Sequence, residues 1–288
     1  MALTDALICS SHTVSGVMPG GPVPARHGFS ERVRACADAG YTGMCLHFRD
    51  YRALRQEGHQ DVDLRSVLQR HGMSDISLEF LVDWFLEGSA AAVAQADEAT
   101  AFAAARAFGA QSLNVGSDFQ GRGIPRHVLK SRFKALCARA AAQSLTIALE
   151  IVPWSDVRDV ETALDVIDGC DNAGLVIDSW HVFRGHIPLG DVTAIPASRI
   201  VSIQINDAAA TIEGPLQEDT LRRLPCGEGS FDLAAFLDAL DAAGASVAPS
   251  VEIISPVQAA LPLGDAVRRS FAGARRLLDE HLRKAAVR

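Results

Sequence analysis

Leu145-Thr-Ile-Ala-Leu-Glu-Ile-Val152 is followed by Asp159-Val-Glu-Thr-Ala-Leu-Asp-Val-Ile-Asp-Gly169 and then by Gly174-Leu-Val-Ile177. The outer two runs are short, apolar and β-branched, while the middle one has helical period with Asp at its start and Gly at its end. Strands this apolar are buried on both faces, which is the mark of a parallel pair joined by a crossover helix. The same alternation extends outward in both directions. Strand candidates are Leu7–Val14, Tyr41–Phe48, Asp75–Val82, Gln111–Gly116, Leu145–Val152, Gly174–Ile177, Ile200–Ile205 and Val247–Ile254. Helix candidates lie between them: Phe29–Ala39 with Ser30 as cap and Gly40 as stop, Ala90–Phe108 before Gly109, Arg126–Gln143 and Asp159–Gly169. Eight strand–helix units of roughly 30–35 residues, one helix after each strand, predict a single (β/α)8 TIM barrel over residues 1–288. The other alternating architecture is a doubly wound open sheet. Its nucleotide-binding form carries GxGxxG after the first strand, where this chain reads Ser10-Ser-His-Thr-Val-Ser-Gly16.

The length of 288 residues fits one such barrel, and 48% hydrophobic with 22% charged residues supplies a large core. Twenty-seven Lys and Arg against 35 Asp and Glu give −8, which argues against a surface that tracks phosphates and hence against a nucleic-acid partner. No apolar run reaches the roughly 18 residues of a membrane span. Met1-Ala-Leu-Thr-Asp5 lacks the basic start of a signal peptide, so the expected location is cytoplasmic, with no membrane partner. Cys9, Cys36, Cys45, Cys137, Cys170 and Cys226 are scattered without a CxxC pair and are read as reduced, buried small hydrophobes. Homo-oligomerisation is left open.

Active sites of such barrels sit at the carboxyl ends of the strands. Strand five ends Ala148-Leu-Glu150-Ile-Val-Pro, strand six Val176-Ile-Asp178-Ser-Trp-His181, strand seven Ile203-Gln204-Ile-Asn206-Asp207 and strand eight Ser250-Val-Glu252-Ile-Ile. Three carboxylates converging in a barrel mouth repel unless a cation holds them. Glu150, Asp178, Gln204 and Glu252 therefore predict a site for one divalent ion, and all-oxygen donors favour Mn²⁺ or Mg²⁺ over Zn²⁺. The formal charge is −3 against +2.

His181, three residues past Asp178, is a candidate for proton transfer or for a hydrogen-bonding role behind the ligands. His12, His47 and Arg49 stand at or just past the first two strand ends and are candidates for holding substrate hydroxyl or carboxylate groups. Glu79, in Leu78-Glu-Phe80, is too remote in strand order for the metal shell and reads as a substrate contact or half of a local ion pair. Trp84 and Trp154 are candidate pocket walls or packing, with Asn114 and Ser117 weaker candidates. Asp207–Gly229, rich in Gly, Pro and charge, interrupts the repeat at the exit of strand seven and is a candidate lid over residues 207–229.

With these residues in place, the chain resembles the xylose-isomerase-like superfamily of metal-dependent barrels, most closely from Glu150 to Glu252. The resemblance implies that Glu150, Asp178, Gln204 and Glu252 bind one metal, and it maps the Asp-x-x-His pattern of the superfamily onto Asp178 and His181. Ketose 3-epimerases resemble the chain at Asp207, a candidate substrate contact, but place a substrate-holding Arg where this chain has Ala210. They also carry His at the position of Gln204. The 3-dehydroshikimate dehydratase group is closer, matching Gln204–Ala208 and Pro225-Cys-Gly-Glu-Gly-Ser-Phe-Asp-Leu233. Endonuclease IV needs further His ligands and a basic cleft, neither evident here.

The implied activity is metal-dependent abstraction of a proton α to a carbonyl of a sugar, keto-polyol or dehydroshikimate-like small molecule. Glu150 or Glu252 would be base, and isomerisation, epimerisation or dehydration, the last with His181 as acid, would follow. Two other classes stand beside it: a non-catalytic metal-binding barrel subunit and an endonuclease IV-like nuclease.

Overall fold

The computed structural model describes residues 3–286; Met1 and Ala2 of the leader reading, and the two carboxyl-terminal residues of the expected 1–288 unit, lie outside the described residues. Eight strands follow one another around the molecule: β1 (Ile8–Ser10), β2 (Gly43–His47), β3 (Asp75–Leu81), β4 (Ser112–Val115), β5 (Thr146–Glu150), β6 (Ala173–Asp178), β7 (Ile200–Ile205) and β8 (Pro249–Val251). All pairings are parallel and in sequence order, and β8 returns to β1 through Ile8↔Ser250 and Cys9↔Val251. The fold is a closed (β/α)8 barrel, and an open sheet is excluded by that last pairing. Among the described residues, no helix is long and apolar enough to cross a membrane.

Alternate strand positions such as Met44, Leu78, Leu113, Leu149, Leu175 and Ile203 are wholly buried in the hydrophobic core they share with the surrounding helices. Burying one such side chain stabilises the fold by about 1.5–3 kcal/mol, so the period-2 pattern decides which face of each strand meets the helices. The six cysteines are free and buried.

Several boundaries differ from the sequence reading. The expected strand Leu7–Val14 is a three-residue strand followed at once by a helical turn, Ser11–Val14. There Thr13 Oγ1 donates to Val251 O at 2.8 Å and Glu79 Oε1 accepts the Ser11 N–H at 3.1 Å, so tertiary hydrogen bonds override β-propensity. Strand eight likewise shrinks to Pro249–Val251. Ser30 is inside its helix, not its cap. Gly28 takes the cap position and donates its N–H to Glu31 Oε2 at 3.3 Å. One helix per strand also proves too few, since β2 is followed by Phe48–Gln56 and Asp61–Arg70, and β6 by Ser179–Arg184 and Leu189–Thr193.

Register explains how residues at different points of four strands reach one level. Glu150 pairs with Val176, two residues before Asp178; Asp178 pairs with Gln204; and Gln204 pairs with Ser250, two before Glu252. Each two-residue step keeps the side chain on the same face while the tilted strands climb, as a barrel with shear of about 8 requires.

The 207–229 segment is fastened at several points. The Asp207 carboxylate accepts the N–H groups of Ala208, Gly227, Gly229 and Phe231 at 2.9–3.0 Å, and Asp207 and Leu224 form an antiparallel bridge. Gly229 is required there, because a Cβ would collide with Ala208 O and the Asp207 carboxylate. Farther along, Arg184 Nε donates to Asp219 Oδ2 at 2.8 Å in a buried pair, and the Arg223 N–H donates to Ile254 O at 3.1 Å. We refer to this segment as the strap.

Candidate active site

β5 to β8 deliver Glu150, Asp178, Gln204 and Glu252 to the carboxyl end of the barrel, all buried. Asp178 ends β6 and caps the short helix that follows: its Oδ1 accepts the N–H groups of Trp180 and His181 at 2.6 and 3.2 Å. That turn carries His181 back over the strand end, with Nε2 3.2 Å from Glu150 Oε1. Ligand atoms of Glu150, Asp178 and His181 all lie within 4.8 Å of one another, a spacing that suits a metal ion. Gln204 donates from Nε2 to Glu252 Oε1 at 3.0 Å, and its Oε1 is buried with no hydrogen-bond partner among the described residues. A buried carbonyl oxygen left this way is costly unless it meets a donor or a cation. The donor set and the orphaned oxygen therefore fit a divalent ion.

A residue that sequence reasoning missed joins these groups. Arg223, from the strap, donates through Nη1 to Asp178 Oδ2 at 2.9 Å and to Glu252 Oε2 at 2.5 Å. Its Nη2 donates to Thr220 Oγ1 at 3.1 Å and lies 3.5 Å from His181 Nε2. Burial works against the guanidinium charge, but Asp178, Glu252 and Glu150 outweigh it, and the pKa of Arg223 is raised. Burial, with Glu79, Asp178 and Glu150 adding to it against Arg223, pushes Glu252 well above the usual carboxylate range. Asn206, a second omission, donates from Nδ2 to Asp178 Oδ2 at 3.1 Å. Asn206 was within reach of the sequence, since it follows Gln204 by two on a strand already singled out, whereas Arg223 lies in an irregular segment, two residues before the quoted Pro225–Leu233 stretch.

A cavity of about 290 Å³ opens over this cluster, and Glu150, His181, Glu252 and Arg223 line its floor side. His12, His47, Arg49 and Glu79 line it on the β1 to β3 side, and Phe80, Phe119, Trp154 and Leu221 are among the other wall residues. Burial lowers the His12 pKa to about 4 and, with His12 and Arg49 adding, that of His47 to about 3, so both rings are neutral near pH 7. Glu79 is buried against the Ser11 N–H and the Cys45 thiol, each 3.1 Å away. Burial, opposed by those two hydrogen bonds and reinforced by Glu150, lifts its pKa to about 7. No arginine or lysine pairs with it among the described residues, so the local ion-pair reading gives way to a carboxyl facing the cavity. Arg49 is half-exposed and shares Asp97 with Arg52.

Other candidates fall elsewhere. Asp207 is outside the cavity lining, its carboxylate occupied by the N–H groups of Ala208, Gly227 and Gly229 in the strap and of Phe231 just beyond it. Trp84 donates to Gly116 O at 2.6 Å and packs edge-on to Phe85 and Phe133. Asn114 donates to Cys45 Sγ at 3.8 Å inside the barrel, and Ser117 is buried outside the lining.

A statistical description of the xylose isomerase-like TIM barrel family matches residues 33–277. The chain belongs to that family. Family relatives with assigned names include a 3-dehydroshikimate dehydratase of Pseudomonas aeruginosa, 30% identical over 145 residues, covering 49% of this chain and 22% of the dehydratase. An inosose isomerase of Bacillus velezensis is 30% identical over 143 residues, 46% of this chain and 50% of the isomerase. The chain thus matches half or less of these relatives' own length. Among solved family structures, the IOLI protein with a bound zinc atom superposes with a TM-score of 0.83 at 20% identity, covering 96% of this chain and 99% of that one.

Proposed function

We propose that the chain is a divalent-metal-dependent enzyme that removes a proton α to the carbonyl of a small keto-polyol or sugar, with dehydration of a dehydroshikimate-like substrate as the favoured outcome. The observation that carries this reading is the cluster of Glu150, Asp178 and His181, with Gln204 and Glu252 beside it, beneath a cavity that Glu150, His181 and Glu252 line. Names among the relatives, dehydratase and inosose isomerase, agree on small cyclic polyol ketones. Glu150, Asp178, Gln204 and Glu252 would hold a divalent ion, which would supply Lewis-acid polarisation of a carbonyl oxygen.

The protein's own groups do the rest. Glu150 ends β5 and Glu252 lies just past β8, on either side of the intervening β6 and β7, and either would serve as the base for the α-proton. His181 Nε2, beside Glu150 Oε1, can receive that proton or give one to a departing hydroxyl. Neutral His12 offers a donor and an acceptor to substrate hydroxyls, while His47, whose Nδ1 accepts the Arg49 N–H at 3.2 Å, offers its Nε2–H as donor. Glu79, with a pKa of about 7, holds or gives up a proton at working pH. Trp154 and Leu221 line the cavity.

The test is solvent-deuterium incorporation into a panel of ketoses, inososes and dehydroshikimate with Mn²⁺ present. Exchange with dehydroshikimate, accompanied by a new conjugated ultraviolet chromophore, supports dehydration; exchange without it moves the assignment to isomerisation or epimerisation. If no keto-polyol exchanges under any metal, the catalytic reading is wrong and the metal-binding subunit is the better account.

A further inference from the structure

We propose that Arg223 is a positioning residue that serves as a built-in surrogate cation: it holds the carboxylates of the site in place before the divalent ion arrives and remains as their counter-charge afterwards. The inference rests on the metal reading above. Its starting point is charge. With the ion bound and all three carboxylates ionised, Glu150, Asp178 and Glu252 bring −3, and the dication leaves −1 buried at the end of the barrel. Arg223 brings the total to zero.

Geometry supports this. The guanidinium side chain is 2% exposed, the Asp178 side chain 0% and that of Glu252 8%, so the three groups meet out of water. One nitrogen, Nη1, bridges carboxylates from β6 and β8, passing over β7, whose Gln204 also holds Glu252. The opposite edge is fixed by Thr220 Oγ1, and the Trp180 ring lies 5.8 Å from the guanidinium carbon. A planar fork suits this bridging, whereas an ammonium is a point charge that cannot hold the same set of partners at once. Removing one partner of a buried ion pair costs several kcal/mol, because the partner charge stays behind uncompensated. Metal-free protein therefore leans on Arg223 more than metal-loaded protein does. Equally, a fixed positive charge beside the ligands must oppose the incoming dication, so the two cations are coupled with negative sign.

The test compares parent, Arg223→Gln, Arg223→Lys and, as a control on the exposed face of the strap, Arg222→Gln. Each is stripped with chelator, and then Mn²⁺ alone is added. Melting and titration calorimetry are read, with no substrate present. In the chelated state Arg223→Gln should melt below the parent, and Mn²⁺ should close most of the gap. Its Mn²⁺ dissociation constant should be tighter by roughly tenfold, within the 5–150-fold usual for coupled sites. Arg223→Lys should fall between, and Arg222→Gln should match the parent. Equal loss of stability with and without Mn²⁺ would make Arg223 a fold anchor only and overturn the proposal. So would weaker or unchanged Mn²⁺ binding by folded Arg223→Gln. If Arg223→Gln does not fold without metal, Arg223→Lys decides by the same sign of its dissociation constant. A parent that binds no Mn²⁺ is a different result: it removes the metal reading itself, and this inference with it.

Discussion

Gln204 spends its amide nitrogen on Glu252, 3.0 Å away, and leaves its carbonyl oxygen buried and unpaired. An amide turned this way presents one neutral lone pair, as an imidazole would. Gln204→His should therefore keep Mn²⁺ binding and part of the activity, while Gln204→Ala should weaken binding. Calorimetric titration of both variants checks this, and parent-like affinity in the two together would remove Gln204 from the ligand set.

Chelation should destabilise the protein. An ion that binds only the folded state stabilises it by about 2.7 kcal/mol at a hundredfold excess over its dissociation constant. Thermal melts of untreated, chelated and Mn²⁺-restored protein, with elemental analysis of the untreated sample, give the answer; a single melting temperature across all three would contradict a bound ion.

His181 separates two steps. If its Nε2 serves as acid for a leaving hydroxyl, His181→Asn should still exchange the substrate α-proton with deuterium while product formation falls by roughly 10²–10⁴-fold. Exchange and turnover falling together would point instead to isomerisation or epimerisation. Glu150→Gln and Glu252→Gln should lose exchange itself, and a parallel metal assay shows whether ligand or base has failed.

Glu79 sets a pH dependence that chelated protein should display. Its folded pKa, about 7, lies above the ordinary 4.5, so its contribution to stability is full below pH 4.5 and is lost as pH rises towards 7. Glu79→Gln has no proton to lose. Relative to the parent, the variant should gain stability across that window, by roughly 3 kcal/mol in all at about 1.36 kcal/mol per unit. Denaturant titrations at pH 4.5, 5.5, 6.5 and 7.5 measure the difference; a constant offset would mean that Glu79 titrates normally.

Asp207 should prove structural. Asp207→Ala strips four N–H groups, three in the strap and that of Phe231, of their acceptor, each costing about 1–3 kcal/mol if it stays buried and unpaired. The expected result is a melting temperature lower by at least several degrees, at about 2–4 °C per kcal/mol, with the Mn²⁺ stoichiometry retained. Protection of the strap from protease should fall in parallel.

The barrel and the carboxylates at its strand ends were legible because both follow from short-range pattern. Period-2 burial marks the strands, and a polar residue ending each apolar run marks the rim, so Glu150, Asp178, Gln204 and Glu252 could be picked out one strand at a time. Arg223 could not. It lies 45 positions from Asp178 in an irregular segment, and only the folded path of the strap brings it to the carboxylates. Asp207 erred in the opposite direction: its position beside strand seven resembles a substrate contact, but its lone pairs go to a loop whose backbone conformation no local pattern reveals. Helical turns such as Ser11–Val14 were hidden for the same reason, since the partners that bend the chain, Glu79 and Val251, come from β3 and β8.

The donors at the rim belong to the eightfold repeat, while the guanidinium that neutralises them comes from the strap, which is stitched on by its own backbone bonds. These two parts of the site are separable pieces of chain. A graft that exchanged residues 207–229 for the corresponding stretch of another barrel would leave every strand untouched and still reset the electrostatic balance of the mouth. The strap is thus a natural cassette for diversification: selectivity can be rewritten there without redesigning the scaffold.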